Sequence, residues 1–489
     1  MARDLQLSEL LEGITEIGMN GDCEISSLTL DSRHINSGSL FLAMPGVSND
    51  GRRFISHAVT QGAAAVLYDD TADGFVPPDV GVPMYPINNL VAVVGEIANR
   101  FYDFPSSKLT VIGVTGTNGK TTCTQLLAQV LDEPQNRCAV IGTLGNGFIG
   151  DLDATIHTTP DVISMHALMA KFLSDGAGYV CVEVSSHALE QGRVNGIAFD
   201  IAVLTNLSRD HLDYHGDMES YAAAKARLFT LPGIRMAVIN REDAFGQVLL
   251  STLDDSIRAV SFGLEQGDFH ATAIVASIGG LQIDAVTPAG KSHFDTRLFG
   301  RFNAENLLAV LAVVVTHGLS LDQASERLGQ VQPVSGRMER FGGRDHMPLV
   351  VVDYAHTPDA LRKALQALRE HTTQILWCVF GCGGERDRGK RPQMGKIAEQ
   401  LADQVVLTDD NPRREDPVQI VNDIRSGMVA EVKVIHRRTQ AIGEVVNCAV
   451  AGDIVLLAGK GHEDYQQIGD ERFHFSDREV VAEILGEAA

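Results

Sequence analysis

VIGVTGTNGKTT, residues 111–122, reads as an apolar strand, a glycine-rich turn and the beginning of a helix. This arrangement points backbone N–H groups and a helix N-terminus at a phosphate group. The usual phosphate-binding loop has glycine, four residues and then Gly-Lys-Ser/Thr, but five positions before Gly119 the sequence has Val114. The stretch is therefore either a nucleotide site with a shortened glycine spacing or a tight turn with a solvated lysine. The apolar strand before it and the helical pattern TTCTQLLAQVLD after it favour the nucleotide site.

The residue types in this turn suit a nucleoside triphosphate and its metal ion. Gly116 and Gly119 let the backbone approach an anion closely. Lys120 can reach terminal phosphate oxygens, and Thr121 or Thr122 can offer a hydroxyl to Mg²⁺. The chemistry of a phosphate loop is thus retained despite the changed spacing.

Length and charge limit the remaining possibilities. A chain of 489 residues is too long for one hydrophobic core, so two to four domains are expected. The net charge of -23 argues against nucleic acid as a partner, because phosphate backbones are bound by excess Lys and Arg. The seven cysteines form no CxxC pair, which favours reduced thiols over a disulfide framework or a zinc site.

The sequence predicts a cytoplasmic protein with no membrane span. Its N-terminus, MARDLQLSELLEGI, lacks the basic segment and apolar run of a secretory signal. The longest strongly apolar run, LLAVLAVVV at 307–315, has about half the length that a bilayer requires.

Three blocks follow one another along the chain, and all have α/β patterns. Short strand-like runs alternate with helical stretches from residue 25 to 100, and a series of strands with crossover helices begins at 108. QPVSGRMERF, at 332–341, is a plausible hinge before a further βα series that indicates an independent doubly wound, Rossmann-like domain. The predicted domains are 1–107, 108–336, with a mainly parallel sheet, and 337–489.

Polar residues follow two apolar runs of the middle block. Glu183 ends the first run and precedes His187, whereas Asp210 and His211 follow the second run. Ligands of α/β sheets bind at the carboxyl ends of parallel strands. A lone histidine there is more often a structural cap than a ligand, but Glu183 and His211 together predict a site for phosphate-bound Mg²⁺.

Several motifs together resemble one family. They are TGTNGKTT, EVSSHAL, NLSRDHLDYHG followed by YAAAKARLF, FNAENLLA, VSGRMER and VDYAHTPDAL. This set resembles the ATP-dependent Mur ligases of peptidoglycan synthesis, whose loop has the same shortened glycine spacing, and the resemblance runs from about residue 28 to 480. It implies an N-terminal module for a UDP-sugar substrate, a central ATPase and a C-terminal domain for the incoming amino acid. The implied reaction is amide formation through an acyl phosphate, with ATP and Mg²⁺.

The resemblance assigns residues to the nucleotide and the metal. The implied ATP-binding residues are Gly116, Thr117, Asn118, Gly119, Lys120, Thr121, Thr122, Asn303, Asn306, Arg337, Asp353 and His356. The implied catalytic residues are Lys120, Glu183, His211 and Lys225, and the implied metal-site residues are Thr121, Glu183, His211 and Lys225. In the family the lysine that matches Lys225 is carbamylated by CO₂, whereas from the sequence alone Lys225 reads as a solvated helix lysine. The asparagines near 303 can equally cap their helix.

A second set of residues matches positions that contact the UDP-sugar-peptide in the family. It consists of Leu30, Ser32, Val47, Ser48, Asn49, His157, Thr158, Thr159, Ser185, Gln191 and Arg193. The family often differs at 47–49 and at 157, so these four positions are expected to contribute mainly backbone contacts. Arg193 suits an anionic substrate tail, because a guanidinium binds a carboxylate with two parallel hydrogen bonds; a surface ion pair is its alternative role.

The last domain carries the implied amino-acid site. Its residues are Arg386, Asp410, Asn411, Pro412, Arg413, Gly459 and Glu463. The Asp-Asn-Pro-Arg sequence resembles that of family members that add meso-diaminopimelate rather than L-lysine. Diaminopimelate has an extra carboxylate at its far end, which two arginines can bind while an acidic residue binds the ammonium group. Without the resemblance, this segment reads as an Asx-Pro turn with solvated charges.

Other readings remain open at this point. A lysine-adding ligase or a folylpolyglutamate-type ligase of the same superfamily would share most of these motifs. A regulatory ATPase with a phosphate loop would hydrolyse nucleotide without a small-molecule acceptor. The favoured reading is a monomeric enzyme that acts on a UDP-MurNAc-dipeptide and meso-diaminopimelate.

Overall fold

The computed structural model describes residues 4–18, 21–46, 49–71, 74–344 and 346–487. The chain folds into two compact units that divide between Phe262 and Gly263. No helix in the described ranges is both long enough and apolar enough to cross a membrane.

The first unit begins with a small parallel sheet in the order β3-β4-β5-β6. The strands of this sheet are β3 (Ser27–Thr29), β4 (Ser39–Ala43), β5 (Ala63–Asp69) and β6 (Met84–Ile87). A separate antiparallel pair is formed by β1 (Leu5–Gln6) and β2 (Glu24–Ile25). Its helices are α1 (Leu7–Leu10), α2 (Ile55–Thr60) and α3 (Leu90–Phe101). In α3 the residues Leu90, Val94, Ile97 and Phe101 recur at helical spacing and are buried, so one face of this helix packs on the core.

The rest of the first unit contains a larger sheet in the order β10-β9-β8-β11-β7-β12-β13-β14. Its strands are β7 (Thr110–Thr115), β8 (Arg137–Gly142), β9 (Gly145–Phe148), β10 (Asp151–Asp153), β11 (Ala177–Glu183), β12 (Ile201–Leu204), β13 (Met236–Asn240) and β14 (Arg258–Gly263). Its helices are α4 (Lys120–Leu131), α5 (Val162–Ser174), α6 (Ser186–Glu190), α7 (Leu212–His215), α8 (Met218–Ala226) and α9 (Ala244–Thr252). Along the sheet in the order β8-β11-β7-β12-β13-β14, every pairing is parallel, as the sequence predicts.

This strand order determines where the phosphate loop lies. β7 pairs with β11 on one side and with β12 on the other. The loop after β7 therefore lies between the ends of β11 and β12, which carry Glu183 and the segment that begins at Thr205. The carboxyl ends of these three strands meet at one edge of the sheet, where ligands of such sheets bind.

The second unit combines an antiparallel meander, two helices and a doubly wound sheet. Its strands are β15 (Phe269–Ser277), β16 (Gly280–Thr287), β17 (Gly290–Thr296), β18 (Glu339–Gly342), β19 (Leu349–Asp353), β20 (Leu376–Phe380), β21 (Gln404–Leu407), β22 (Lys433–Val434), β23 (Ile454–Ala458), β24 (Tyr465–Ile468) and β25 (Glu471–His474). Its helices are α10 (Arg301–His317), α11 (Leu321–Gln330), α12 (Pro358–Arg369), α13 (Lys390–Leu401), α14 (Pro417–Arg425), α15 (Arg438–Cys448) and α16 (Asp477–Leu485).

The meander β15-β16-β17 is a feature that the sequence analysis did not predict. Both connections contain two residues, Ile278-Gly279 and Pro288-Ala289, which is the commonest length of a hairpin loop. β16 alternates buried and exposed residues over most of its length, and this period of two was the signal available in the sequence.

The doubly wound sheet has the order β18-β19-β23-β20-β21-β22 and is parallel except for β18. Its core strands are almost continuous runs of buried apolar residues, as expected for strands that helices cover on both faces. The carboxyl ends of β19, β20, β21 and β23 meet at one edge. Asp353, Asp410 and Gly459 lie at or just after three of these ends.

Candidate active site

The loop between β7 and α4 has a conformation that only glycine permits at two positions. Gly116 has φ 147° and Gly119 has φ 85°, both in the region that favours glycine. A Cβ atom on Gly116 would lie 1.9 Å from Thr205 Oγ1. A side chain at position 116 would therefore collide with the segment after β12, so this position requires glycine. Gly119 directly precedes α4, and its left-handed backbone turns the chain into the helix.

Residues after β12 hold the loop by hydrogen bonds. The N–H groups of Thr117 and Asn118 donate to the backbone and side-chain oxygens of Asn206 at 2.8 and 3.0 Å. Thr205 Oγ1 donates to the Asn118 carbonyl at 2.6 Å. These bonds preorganise the loop, and sequence reasoning missed Thr205 and Asn206 because small polar residues at strand ends carry no distinctive pattern.

Two lysines share one acceptor in the loop. Lys120 Nζ donates to the Gly116 carbonyl at 2.9 Å, and Lys225 Nζ donates to the same oxygen at 2.7 Å. Lys225 is only 1% exposed, and its ammonium lies 4.6 Å from the ring centre of Tyr221. Burial lowers the pKa of Lys225 well below its usual value, and the charge of Lys120 lowers it further. The structure thus contradicts the reading of Lys225 as a solvated lysine.

Glu183 is fully buried at the end of β11 and accepts three hydrogen bonds. Thr121 Oγ1 donates to Oε2 at 2.8 Å, the Thr143 N–H donates to Oε1 at 2.8 Å, and Thr143 Oγ1 donates to Oε2 at 3.1 Å. A Cβ atom on Gly142 would lie 2.2 Å from Oε1, so the carboxylate fills the space beside this glycine. A buried carboxylate beside a threonine hydroxyl is the oxygen donor set that Mg²⁺ prefers, and these residues fit that ion. Thr143 was not predicted.

His211 lies in a cluster of rings beside the loop. Its ring centre is 5.0 Å from that of His187 and 6.1 Å from that of Tyr221, whose hydroxyl is 3.2 Å from Thr117 Oγ1. Within the described part of the chain, no group of three His, Cys, Asp or Glu side chains is arranged to hold a metal ion. An Mg²⁺ ion here would need further oxygens from phosphate and water, as is usual for this ion.

The predicted substrate residues Thr158, Thr159 and Ser185 connect to the Glu183 site. Thr158 Oγ1 is 3.1 Å from Thr143 Oγ1. Thr159 Oγ1 donates to the backbone oxygen of Glu183 at 2.7 Å and accepts from the Ser185 N–H at 3.1 Å. The structure therefore brings these three residues to the same edge of the sheet as the phosphate loop.

Arg193 and Gln191 extend this network. Arg193 Nη1 donates to the Thr159 carbonyl at 3.0 Å, and its Nε and Nη2 donate to Gln191 Oε1 at 3.0 and 2.7 Å. Gln191 Nε2 donates to the Tyr214 hydroxyl at 3.1 Å. The guanidinium is thus held in a fixed orientation by neutral groups, and Tyr214 is a further residue that the sequence analysis missed.

The remaining predicted substrate residues lie in or near the small parallel sheet. Leu30 packs against the apolar core there, and Ser32 is buried in a short 3-10 helix after β3. Asn49 is exposed, and its carbonyl accepts from the Gly46 N–H at 2.8 Å, whereas Val47 and Ser48 lie outside the described residues. His157 is exposed on the segment between β10 and α5.

Five predicted nucleotide residues belong to the second unit. Asn303 and Asn306 are buried in the first turns of α10 and bond to each other at 3.1 Å. Asp353, at the end of β19, accepts from the Met338 and Ala355 N–H groups. Burial raises the pKa of the Asp353 carboxyl. The other two are Arg337, which stacks 4.6 Å from the Tyr354 ring centre, and His356.

A cluster of charged residues, which we name the charged pocket, lies at the carboxyl edge of the doubly wound sheet. Asn411 Nδ2 donates to Glu463 Oε2 at 2.9 Å. Lys460 Nζ lies 3.6 Å from Asp410 Oδ1 and 3.4 Å from Glu463 Oε2. Burial raises the pKa of the Glu463 carboxyl. Lys460 was not named by the sequence analysis, although it lies between Gly459 and Glu463 in AGKGHEDYQ.

Two predicted arginines flank Gly383 beside this pocket. A Cβ atom on Gly383 would lie 2.9 Å from Arg413 Nη1 and 3.6 Å from Arg386 Cγ. Arg413 has φ 51°, a left-handed conformation that is strained for a residue with a side chain. Its Nη1 donates to the Gly384 carbonyl at 2.8 Å, and the buried Pro412 precedes it. The structure thus brings the seven predicted amino-acid-site residues to one edge.

Fold and loop together define a nucleotide-binding protein of the phosphate-loop class, which has a second cluster of charged residues at the carboxyl edge of the doubly wound sheet. The model of the Mur ligase middle domain matches residues 114–314. The model of the Mur ligase glutamate ligase domain matches 336–461, and that of the Mur ligase family catalytic domain matches 24–102. The chain belongs to the Mur ligase family.

Individual relatives resemble the chain over nearly its whole length. UDP-N-acetylmuramoyl-L-alanyl-D-glutamate--2,6-diaminopimelate ligase of Ectopseudomonas mendocina is 51% identical over 466 residues, which cover 94% of this chain and 95% of that protein. The protein of the same name from Pseudomonas putida is 50% identical over 464 residues, which cover 93% of each chain. A solved structure of a ligase with this name is 37% identical, covers 99% of both chains and has a TM-score of 0.75.

Proposed function

We propose that this chain is an ATP-dependent ligase that joins meso-diaminopimelate to the free carboxyl group of UDP-N-acetylmuramoyl-L-alanyl-D-glutamate in peptidoglycan precursor synthesis. The observation that carries the proposal is the pocket that combines Arg386 and Arg413 with the carboxylates of Asp410 and Glu463. Relatives about 50% identical are named as ligases of this kind. The proposal assigns the UDP-sugar, the ATP and the amino acid to the domains 1–107, 108–336 and 337–489, respectively.

The pocket favours diaminopimelate over lysine on electrostatic grounds. The far end of diaminopimelate carries one carboxylate and one ammonium group, and the pocket offers both cationic and anionic partners. Lysine would leave Arg386 and Arg413 facing a cation without a carboxylate. When a wrong substrate leaves buried polar groups of a site unpaired, its kcat/KM is lower by a factor of about 10⁴ or more. The preference for diaminopimelate that the sequence motif predicts therefore has a physical basis.

The reaction requires two anions to approach each other. The substrate carboxylate attacks the γ-phosphorus of ATP, and ADP leaves, which forms an acyl phosphate. The amine nitrogen of diaminopimelate then attacks the acyl carbon, loses a proton, and inorganic phosphate leaves as the amide forms. Lys120 and the N–H groups of the loop neutralise phosphate charge, and Arg193 holds the anionic end of the peptide in place.

Mg²⁺ would be held by Thr121 and Glu183, with His211 nearby, and would supply further screening of phosphate charge. Burial lowers the pKa of Lys225 and so favours its neutral amine, which is the form that reacts with CO₂. We assign to Lys225 a carbamate, whose negative charge would attract Lys120 and would serve a second Mg²⁺.

The other roles follow from position. We assign to nucleotide contacts the residues Gly116, Thr117, Asn118, Gly119, Thr122, Asn303, Asn306, Arg337, Asp353 and His356. We assign to UDP-sugar-peptide contacts the residues Leu30, Ser32, Val47, Ser48, Asn49, His157, Thr158, Thr159, Ser185 and Gln191. The monomeric state and the cytoplasmic location stay predictions.

Turnover with defined substrates tests the proposal. The purified chain is incubated with the UDP-dipeptide, ATP, Mg²⁺ and either meso-diaminopimelate or L-lysine, and ADP release is measured beside product formation. We expect one amide per ADP with diaminopimelate and much slower turnover with lysine. Faster turnover with lysine would overturn the specificity, and ADP release without any amide would favour a regulatory ATPase.

A further inference from the structure

We propose that Lys460 is a specificity-determining positioning residue, because its ammonium lies between the carboxylates of Asp410 and Glu463 and holds both of them as anionic partners for the substrate ammonium group. The inference rests on the proposed function. Lys460 is fully buried and lies between Asp410 and Glu463, the two carboxylates that we pair with the ammonium group of the substrate.

Lys460 contacts three polar side chains of the pocket at once. Its Nζ donates to Asn411 Oδ1 at 3.2 Å and lies 3.4 Å from Glu463 Oε2 and 3.6 Å from Asp410 Oδ1. The side chain is 0% exposed. Since the rings of Tyr465 and Phe475 also lie within 6 Å of Nζ, the ammonium is enclosed and does not face a ligand directly.

The backbone is shaped to direct this side chain inward. Lys460 lies between Gly459, with φ 116°, and Gly461, with φ 52°. A Cβ atom on Gly459 would lie 3.3 Å from Asp410 Oδ2, and one on Gly461 would lie 2.7 Å from the Gly336 carbonyl. Glycines on both sides thus allow the chain after β23 to pass close to Asp410 while Lys460 turns into the interior.

The charges in the pocket explain what this ammonium does. Asp410 and Glu463 are two acids in one largely buried space, and like charges so placed favour protonation of one of them. Burial raises the pKa of Glu463 and the charge of Asp410 raises it further, whereas Lys460 lowers it. The Lys460 ammonium offsets one of these two negative charges, so both acids can remain carboxylates side by side. Arg386 and Arg413 are the proposed partners of the substrate carboxylate, and the buried Arg438 is paired with Asp477. Without Lys460, Glu463 would hold a proton over a wider pH range and would be a poorer partner for a cation.

Lys460 also orients the amide of Asn411. Because Asn411 Oδ1 accepts from Lys460 Nζ and from the Gln467 N–H at 2.9 Å, its Nδ2 must face Glu463 Oε2, to which it donates at 2.9 Å. The lysine therefore fixes both the charge and the direction of the Glu463 carboxylate.

The test compares Lys460→Met with the double variant Lys460→Met/Glu463→Gln. For each, the KM for diaminopimelate, the kcat and the KM for ATP are measured between pH 6.5 and 9. We expect Lys460→Met to raise the diaminopimelate KM by about 10-fold or more at pH 7, with an excess over wild type that shrinks as the pH rises and Glu463 ionises. The ATP KM should change little. The double variant keeps Asp410 as its one carboxylate at every pH, so its diaminopimelate KM should equal that of Lys460→Met at low pH and, unlike that KM, should not fall as the pH rises.

Controls separate this inference from the proposed function and from loss of folding. Lys433→Met, which removes an exposed lysine paired with Glu444, should leave all three constants unchanged. If wild type fails to use diaminopimelate, the proposed function fails; if wild type uses it, only the role of Lys460 is at stake. A diaminopimelate KM that falls with rising pH in Lys460→Met but not in the double variant supports the role of the Glu463 charge. The same fall in both variants, or a pH-independent defect in Lys460→Met, would overturn it.

Discussion

Replacing Arg413 by Ala isolates the proposed contact with the far carboxylate of diaminopimelate. Arg413 is half-buried, and its Nη1 donates to the Gly384 carbonyl, which sets the direction of the guanidinium. Its backbone keeps φ 51°, and because Ala bears the same left-handed cost as Arg, the substitution adds no backbone strain of its own. Loss of a hydrogen bond to a charged group costs about 1.5–3 kcal/mol, so the diaminopimelate KM should rise about 10- to 150-fold.

The neighbouring arginine provides a matched control. Arg414 is 65% exposed and forms an ion pair with Asp470, whose carboxylate is also exposed. Arg414→Ala should leave the diaminopimelate KM nearly unchanged. Phosphate release at saturating ATP and UDP-dipeptide gives the KM, and calorimetry gives the ADP affinity. Equal losses of diaminopimelate and ADP affinity, or equal effects of the two substitutions, would show that Arg413 is structural and would refute the reasoning.

Three further predictions concern the first unit. Glu183→Gln removes the carboxylate charge beside Thr121, so Mg²⁺ should no longer strengthen ATP binding; a wild-type Mg²⁺ effect in the variant would contradict the proposed metal site. Wild type incubated with ¹³CO₂ should give a carbamate NMR signal that Lys225→Ala lacks, and the same signal in both proteins would exclude Lys225 as its source. Burial lowers the pKa of His166 to about 4. As the pH falls from about 6.5 to 4, this histidine therefore takes up a proton in the unfolded chain but not in the folded one. Stability should be greatest above pH 6.5 and fall by roughly 3 kcal/mol toward pH 4, and urea unfolding of His166→Leu should show a smaller fall than wild type; equal falls would contradict this.

The phosphate loop and its carboxylate were predictable because both depend on local sequence. The strand, the glycine turn and the helix around Lys120 are consecutive in the chain, and Glu183 ends a buried run that parallel-sheet topology brings beside the loop. Thr143 contacts Glu183 equally closely, but it lies between β8 and β9 in a segment without a motif. Its role depends on the strand order β8-β11-β7, which no local pattern encodes.

The charged pocket shows a different limit of sequence reasoning. Motifs predicted Arg413 and Glu463, but Lys460 in AGKGHEDYQ carries no distinctive signal, since a lysine in a sequence is usually solvated. Its burial results from Tyr465 and Phe475, which belong to the hairpin region that follows. The unpredicted meander β15-β16-β17 differs from Lys460, because its signal is local: β16 has an alternating pattern and the two connections contain two residues each.

A competition experiment tests the central claim most directly. The UDP-dipeptide, ATP and Mg²⁺ are supplied with equal concentrations of meso-diaminopimelate and L-lysine, and the mass of the UDP-linked product is measured by mass spectrometry. We expect a product whose mass exceeds that of the UDP-dipeptide by one diaminopimelate residue, with no more than a trace of the lysine adduct. A predominant lysine adduct, or unchanged UDP-dipeptide after ATP has been consumed, would contradict it.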